Sequence, residues 1–134
     1  MGQLINEINR LCREYECYSG SVEHRAEAEK IRKELVERCE EGRKEMGIEE
    51  TGLLVALLDA YEVTRDEGML QEVLDVVGGN MACLEVSAES VKLLAYCYHY
   101  VEEEECAERA KEMLMALKKR GEDTTELEKE LDNL

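Results

Sequence analysis

The stretch LLVALLDAYEVTRDEGMLQEVLDVV, residues 53–77, carries the pattern that decides the fold. Leu54, Leu57, Leu58 and Tyr61 fall at i, i+3, i+4 and i+7, a spacing that lays four side chains along one stripe of an α-helix. The pattern predicts a helix from about Glu49 to Arg65. RDEG at 65–68 then turns the chain, and a shorter helix over Met69–Val77 runs until GGN at 78–80 ends it.

Outward from this stretch, the same four-position stripe appears twice more, as Ile8, Leu11, Cys12, Tyr15 and as Val91, Leu94, Ala95, Tyr98. Its first residues are separated by 46 and 37 positions. Internal periodicity of this length marks a chain built from repeated supersecondary units. The flanking segments read as helices too. One runs from about Gln3 to Tyr18 and is broken by SGS at 19–21. Ser21 N-caps a second, which carries Ala26, Ala28, Ile31 and Leu35 inward and continues towards Met46, with Gly47 as C-cap. Ser87 caps a helix reaching Val101. Another covers Glu104 to Arg120 and is stopped by Gly121. Thr125 with Glu128 reads as a capping box for a last helix bearing Leu127, Leu131 and Leu134. Short connections make such helices antiparallel neighbours.

Composition agrees with an all-α chain. There is no Pro, Phe or Trp among the 134 residues, and strong helix formers dominate, whereas strands need β-branched and aromatic residues. The length suits a single domain, 1–134. Thirty-three acidic residues against 17 basic ones give a formal charge of −16, a field that repels nucleic acid and suits a basic peptide or protein. The N-terminus lacks a basic region followed by an apolar run, and no segment approaches membrane-spanning length, which points to the cytoplasm and away from a membrane partner.

The three stripes, each ending in tyrosine, resemble helix A of the tetratricopeptide repeat (TPR) family. The family's helix B continues with apolar or small positions after the tyrosine. Leu70, Leu74 and Val77 follow Tyr61 in that way, and Ala110, Leu114 and Leu117 follow Tyr98 if three extra residues are placed in the VEEEE turn. Ala28, Ile31 and Leu35 follow Tyr15 more loosely, and the family's helix-breaking proline is missing. The resemblance implies antiparallel helical hairpins stacked as a short, right-handed TPR-like solenoid of about seven helices. Its repeats would cover about 3–46, 49–78 and 87–120, with a capping helix at 123–134.

It also implies a peptide-binding groove lined by Asn6, Asn9, Arg13, Asp59, Glu62, Lys92, Tyr96, His99 and Tyr100. Asp59, Glu62 and Glu89 would favour basic residues on the ligand, and Tyr98 would belong to the buried stripe while Tyr96, His99 and Tyr100 face the groove. The function that follows is protein or peptide binding by an acidic module, with no catalytic activity and no cofactor. A second reading is a self-associating structural protein, a homodimer formed through the tyrosines of the third repeat. A third is a metal or redox site at the cysteines. No C-x-x-C occurs, and Cys97 and His99 point away from each other on one helix, so no metal ligands are assigned. Cys12, Cys17, Cys39, Cys83, Cys97 and Cys106 permit disulfides, but their pairing is open at this stage. Catalytic motifs and phosphate-binding loops are absent.

Overall fold

Strong helix propensity without proline gives seven α-helices in the computed structural model, which describes residues 2–132, and no strand among those residues. They are α1 (Gly2–Ser19), α2 (Arg25–Lys44), α3 (Thr51–Thr64), α4 (Glu67–Gly79), α5 (Ala88–Val101), α6 (Glu104–Lys119) and α7 (Thr125–Asp132). Two compact units are distinguished, Met1–Val76 and Val77–Leu134.

In the first unit α1, α2 and α3 pack against one another. α1 contributes Ile8 and Leu11, α2 contributes Ile31, Leu35 and Cys39, and α3 is apolar nearly all round, with Leu53, Leu54, Ala56, Leu57, Leu58, Ala60 and Tyr61 buried. Each fully buried Leu or Ile is worth roughly 1.5–3 kcal/mol relative to exposure, so this cluster is the unit's main source of stability. Gly42 lets the three helices close. A Cβ there would stand 3.2 Å from Leu53 Cδ1, 3.3 Å from Leu57 Cδ2 and 3.8 Å from Ile8 Cδ1. Beside it Arg43 forms a fork on Glu72, with Nη2 to Oε1 at 2.6 Å and Nε to Oε2 at 2.9 Å. Its Nη1 donates to Glu40 and to Asp66 at 3.0 Å. Asp66 also accepts the Met69 N–H through its other oxygen, so one carboxylate caps α4 and anchors α2.

The second unit is organised by the α5–α6 hairpin, with α7 against α5. Ser87 accepts the Ser90 N–H and donates its hydroxyl proton to Ser90 Oγ, which satisfies a fully buried serine. α6 ends in a Schellman turn. Gly121, at φ +82, donates to Lys118 O, and Glu122 donates to Leu117 O.

The segments α3–α4 and α5–α6 share local features at a constant interval of 37 residues. α3 and α5 have the same length, 14 residues, and both of their ends are 37 apart. Each closes on a left-handed residue four positions after its tyrosine: Arg65 (φ 55) donates to Tyr61 O at 2.8 Å, and Glu102 (φ 53) donates to Tyr98 O at 2.7 Å. The next helix starts two residues later in both, at Glu67 and at Glu104, and the buried residues that follow keep step, Met69, Leu70 and Val73 against Cys106, Ala107 and Ala110. The VEEEE turn therefore contains no extra residues. The acidic first turn of α6, Glu104 and Glu105, suits the positive end of its dipole.

Several boundaries differ from the sequence reading. Ser21 makes no cap bond; its hydroxyl pairs with His24 Nδ1 at 3.0 Å, and a 3-10 turn over Val22–His24 precedes α2. α2 stops at Lys44 with Glu45 as its cap, short of Gly47. Ala26 is exposed, because it precedes the inward stripe of Ala28, Ile31, Leu35 and Cys39. α4 begins two residues early, which places Gly68 inside its first turn. Thr125 lies inside α7 and donates its N–H and hydroxyl to Asp123, whereas the hydroxyl that reaches Glu128 is that of Thr124, at 3.4 Å. Leu134 lies outside the described residues.

Candidate functional site

α5 buries Val91, Leu93, Leu94, Ala95 and Cys97. The remaining stripe, Lys92, Tyr96, His99 and Tyr100 at i, i+4, i+7 and i+8, faces away from that core. Lys92 Nζ lies 5.6 Å from the Tyr96 ring centroid, and the His99 and Tyr100 rings meet edge to face at 5.2 Å. Lys92, Tyr96 and Tyr100 are half-buried and His99 is exposed. The result is a ladder of two ordered pairs, Lys92 with Tyr96 and His99 with Tyr100, that gathers aromatic rings, a cation and an imidazole on one stripe of the helix. Such rigid aromatic side chains lose little entropy when covered, and tyrosine is enriched at interface centres.

Tyr98 does not join the buried stripe, because it stands on the side of α5 next to α6 and α7. It is half-buried and floors a cleft of about 730 Å³ with Ala107, Leu114 and Leu131, rimmed by Lys111 and Lys118. Lys118 is paired with Glu128 across this cleft. The sequence signal for the cleft is the 3-4-3-4 spacing of Glu104, Ala107, Lys111, Leu114 and Lys118, which marks a second, mixed face of α6.

The other five expected groove residues are in the first unit. Asn6, Asn9 and Arg13 lie on α1; Asp59 and Glu62 lie on α3. None of the five is buried. Glu62 pairs with Arg65 at 3.5 Å. The Cys12 thiol is pushed up to about 12, mainly by burial, with Asp59 and Glu16 adding to the rise and Arg13 opposing it. Arg13 and Asp59 thus share one electrostatic neighbourhood at the α1–α3 contact. The acidic excess belongs to both units, with 19 acidic against 10 basic residues through Val76 and 14 against 7 beyond it.

Burial also pushes the thiols of Cys39 and Cys97 up to about 12 and raises that of Cys106, so these cysteines are protonated and weakly nucleophilic at neutral pH. Among the described residues no group of three or more His, Cys, Asp or Glu side chains is arranged to hold a metal ion. No helix among the described residues is long and apolar enough to cross a membrane. No family model matches the chain, and no curated protein or solved structure matches it.

Proposed function

We propose that this chain is a TPR-like helical repeat module that binds another protein or peptide, and that the ladder of Lys92, Tyr96, His99 and Tyr100 on α5 is its principal contact face. The observation that carries the reading is the ladder itself: aromatic side chains kept out of the helix core, ordered by a cation–π and an edge-to-face contact. The family reading is supported by the 37-residue recurrence of helix length, left-handed cap and buried positions from α3–α4 to α5–α6. Asn6, Asn9, Arg13, Asp59 and Glu62 are proposed as secondary contacts on the first unit.

The net charge of −16 favours a basic partner. It accelerates encounter at low salt, and aromatic contact supplies the short-range affinity.

Self-association through the same tyrosines is favoured by one further feature, the 39 % exposure of Val101 directly after Tyr100. Sedimentation over a range of concentrations separates the two readings: a monomer throughout leaves the ladder for a different partner, whereas a dimer weakened by Tyr100→Ala assigns it to a second copy.

A further inference from the structure

The six thiols fall into a pattern that the sequence left open. Cys17 and Cys83 are exposed. The other four place one cysteine on each helix of two hairpins: Cys12 on α1 with Cys39 on α2, and Cys97 on α5 with Cys106 on α6. Across an antiparallel pair, moving forward on one helix matches moving back on the other. Gly42 stands against Ile8, so one turn on along α1 and one turn back along α2 bring Cys12 level with Cys39. In the second hairpin Val101 ends α5 and Glu104 opens α6, and Tyr98 shares a cleft wall with Glu104 and Ala107. Cys97 lies one turn before the end of α5 and Cys106 in the first turn of α6, so both stand at the same end of this hairpin.

Small residues favour close approach at both seams. A disulfide needs Cα atoms within roughly 4.4–6.8 Å, closer than most helix pairs approach. Gly42 draws α2 onto α1, and Ala95, Ala107 and Ala110 are buried small residues of the α5–α6 hairpin. Cys39, Cys97 and Cys106 are at most 3 % exposed, while Cys12 is half-buried at the edge of its seam. Each pair also acts electrostatically on itself. Ionised Cys12 would hold the proton on Cys39, and ionised Cys106 the proton on Cys97.

We propose that Cys12–Cys39 and Cys97–Cys106 are two latent disulfides, each able to staple the two helices of one hairpin under oxidising conditions. With a small-molecule disulfide such as oxidised glutathione, one cysteine loses its proton and attacks a glutathione sulfur, releasing one glutathione thiol. Its partner, deprotonated in turn, attacks the protein-side sulfur of the mixed disulfide and releases the second. Two protein thiols become one S–S bond, and the two electrons reside in two reduced glutathione molecules. Cys12 offers the accessible first sulfur in its hairpin. The α5–α6 pair, buried on both sides, waits for local opening.

The test is oxidation of the whole folded chain with oxidised glutathione at mildly alkaline pH and sub-denaturing urea, followed by tryptic mapping without reduction. The peptide LLAYCYHYVEEEECAER, residues 93–109, should lose two hydrogens, and LCR (11–13) should appear linked to CEEGR (39–43), with glutathione adducts on Cys17 and Cys83. The oxidised chain should melt roughly 10 °C higher and return on reduction. In Cys106→Ala the 12–39 link should still form. Free thiols persisting at Cys39, Cys97 and Cys106 after this treatment, or links joining any other pair, would overturn the proposal.

Discussion

Arg65 and Glu102, 37 residues apart, end their helices in the same left-handed conformation, each donating its N–H to the carbonyl of the tyrosine four residues before it. A non-glycine residue in that conformation costs roughly 1–2 kcal/mol, of which glycine's greater freedom in the unfolded chain returns part. Glu102→Gly is therefore expected to stabilise the chain by about 0.5–1 kcal/mol in urea unfolding. Glu89→Gly, within the first turns of the same helix, should lose a comparable amount.

Gly42 and Leu53 set the closeness of the first three helices. Alanine at 42 gains about 1 kcal/mol of helix propensity but must displace Leu53 and Leu57 by a few tenths of an ångström, so Gly42→Ala should fall near neutral. Gly42→Val adds branches where there is no room and should cost about 2–3 kcal/mol. Equal effects of the two substitutions on the urea midpoint would contradict this packing.

Three of the four tyrosines on α3 and α5 are expected to rank by what their side chains pack against. Tyr61, 6 % exposed and donating to Glu67 at 2.5 Å, should cost about 3 kcal/mol on truncation to Ala, of which Tyr61→Phe accounts for about 1. Tyr98→Ala, at the half-buried cleft floor, should cost about half as much as Tyr61→Ala, and Tyr100→Ala should stay within about 0.5 kcal/mol of the parent.

Two pH windows follow from the shifted groups. Arg43 holds the Glu72 carboxyl below its ordinary range, so this pair contributes stability above about pH 4.5 that is lost as pH falls and Glu72 takes up its proton. Both partners are partly exposed, so Arg43→Met should cost only about 1 kcal/mol at neutral pH and less at high salt. The buried thiols act at the other end. Cys12, Cys39 and Cys97 keep their protons to about pH 12 in the fold and to about 9 when unfolded, so the folded chain binds more protons between those values. Stability is unaffected by these thiols below pH 9 and should fall as pH rises above it. Cys39→Ala should soften that fall.

Much of the helical order was legible from local chemistry. Ser87 and Gly121 each supplied a cap of known geometry, and the tyrosine stripes located α1, α3 and α5. The left-handed caps were missed because neither Arg65 nor Glu102 is glycine, and RDEG carries its glycine at Gly68, inside the next helix. Gly42 and the Arg43 fork were invisible for a different reason: both depend on residues brought together from separate helices. Tyr98 was misread because its stripe neighbours Leu94 and Ala95 are buried, while its own side chain reaches the opening between α6 and α7. The candidate ladder was legible as a set of residues on one face of α5. Its internal contacts, Lys92 on Tyr96 and His99 on Tyr100, required coordinates.

The most direct test of the binding function is a peptide array probed with the purified chain and with the Tyr96→Ala/Tyr100→Ala double variant, at low and physiological salt. The account predicts selective retention on basic peptides, weakened by salt and abolished in the double variant while its circular dichroism and melting temperature stay unchanged. Equal retention on acidic and basic peptides, or binding that survives loss of both tyrosines, would contradict it.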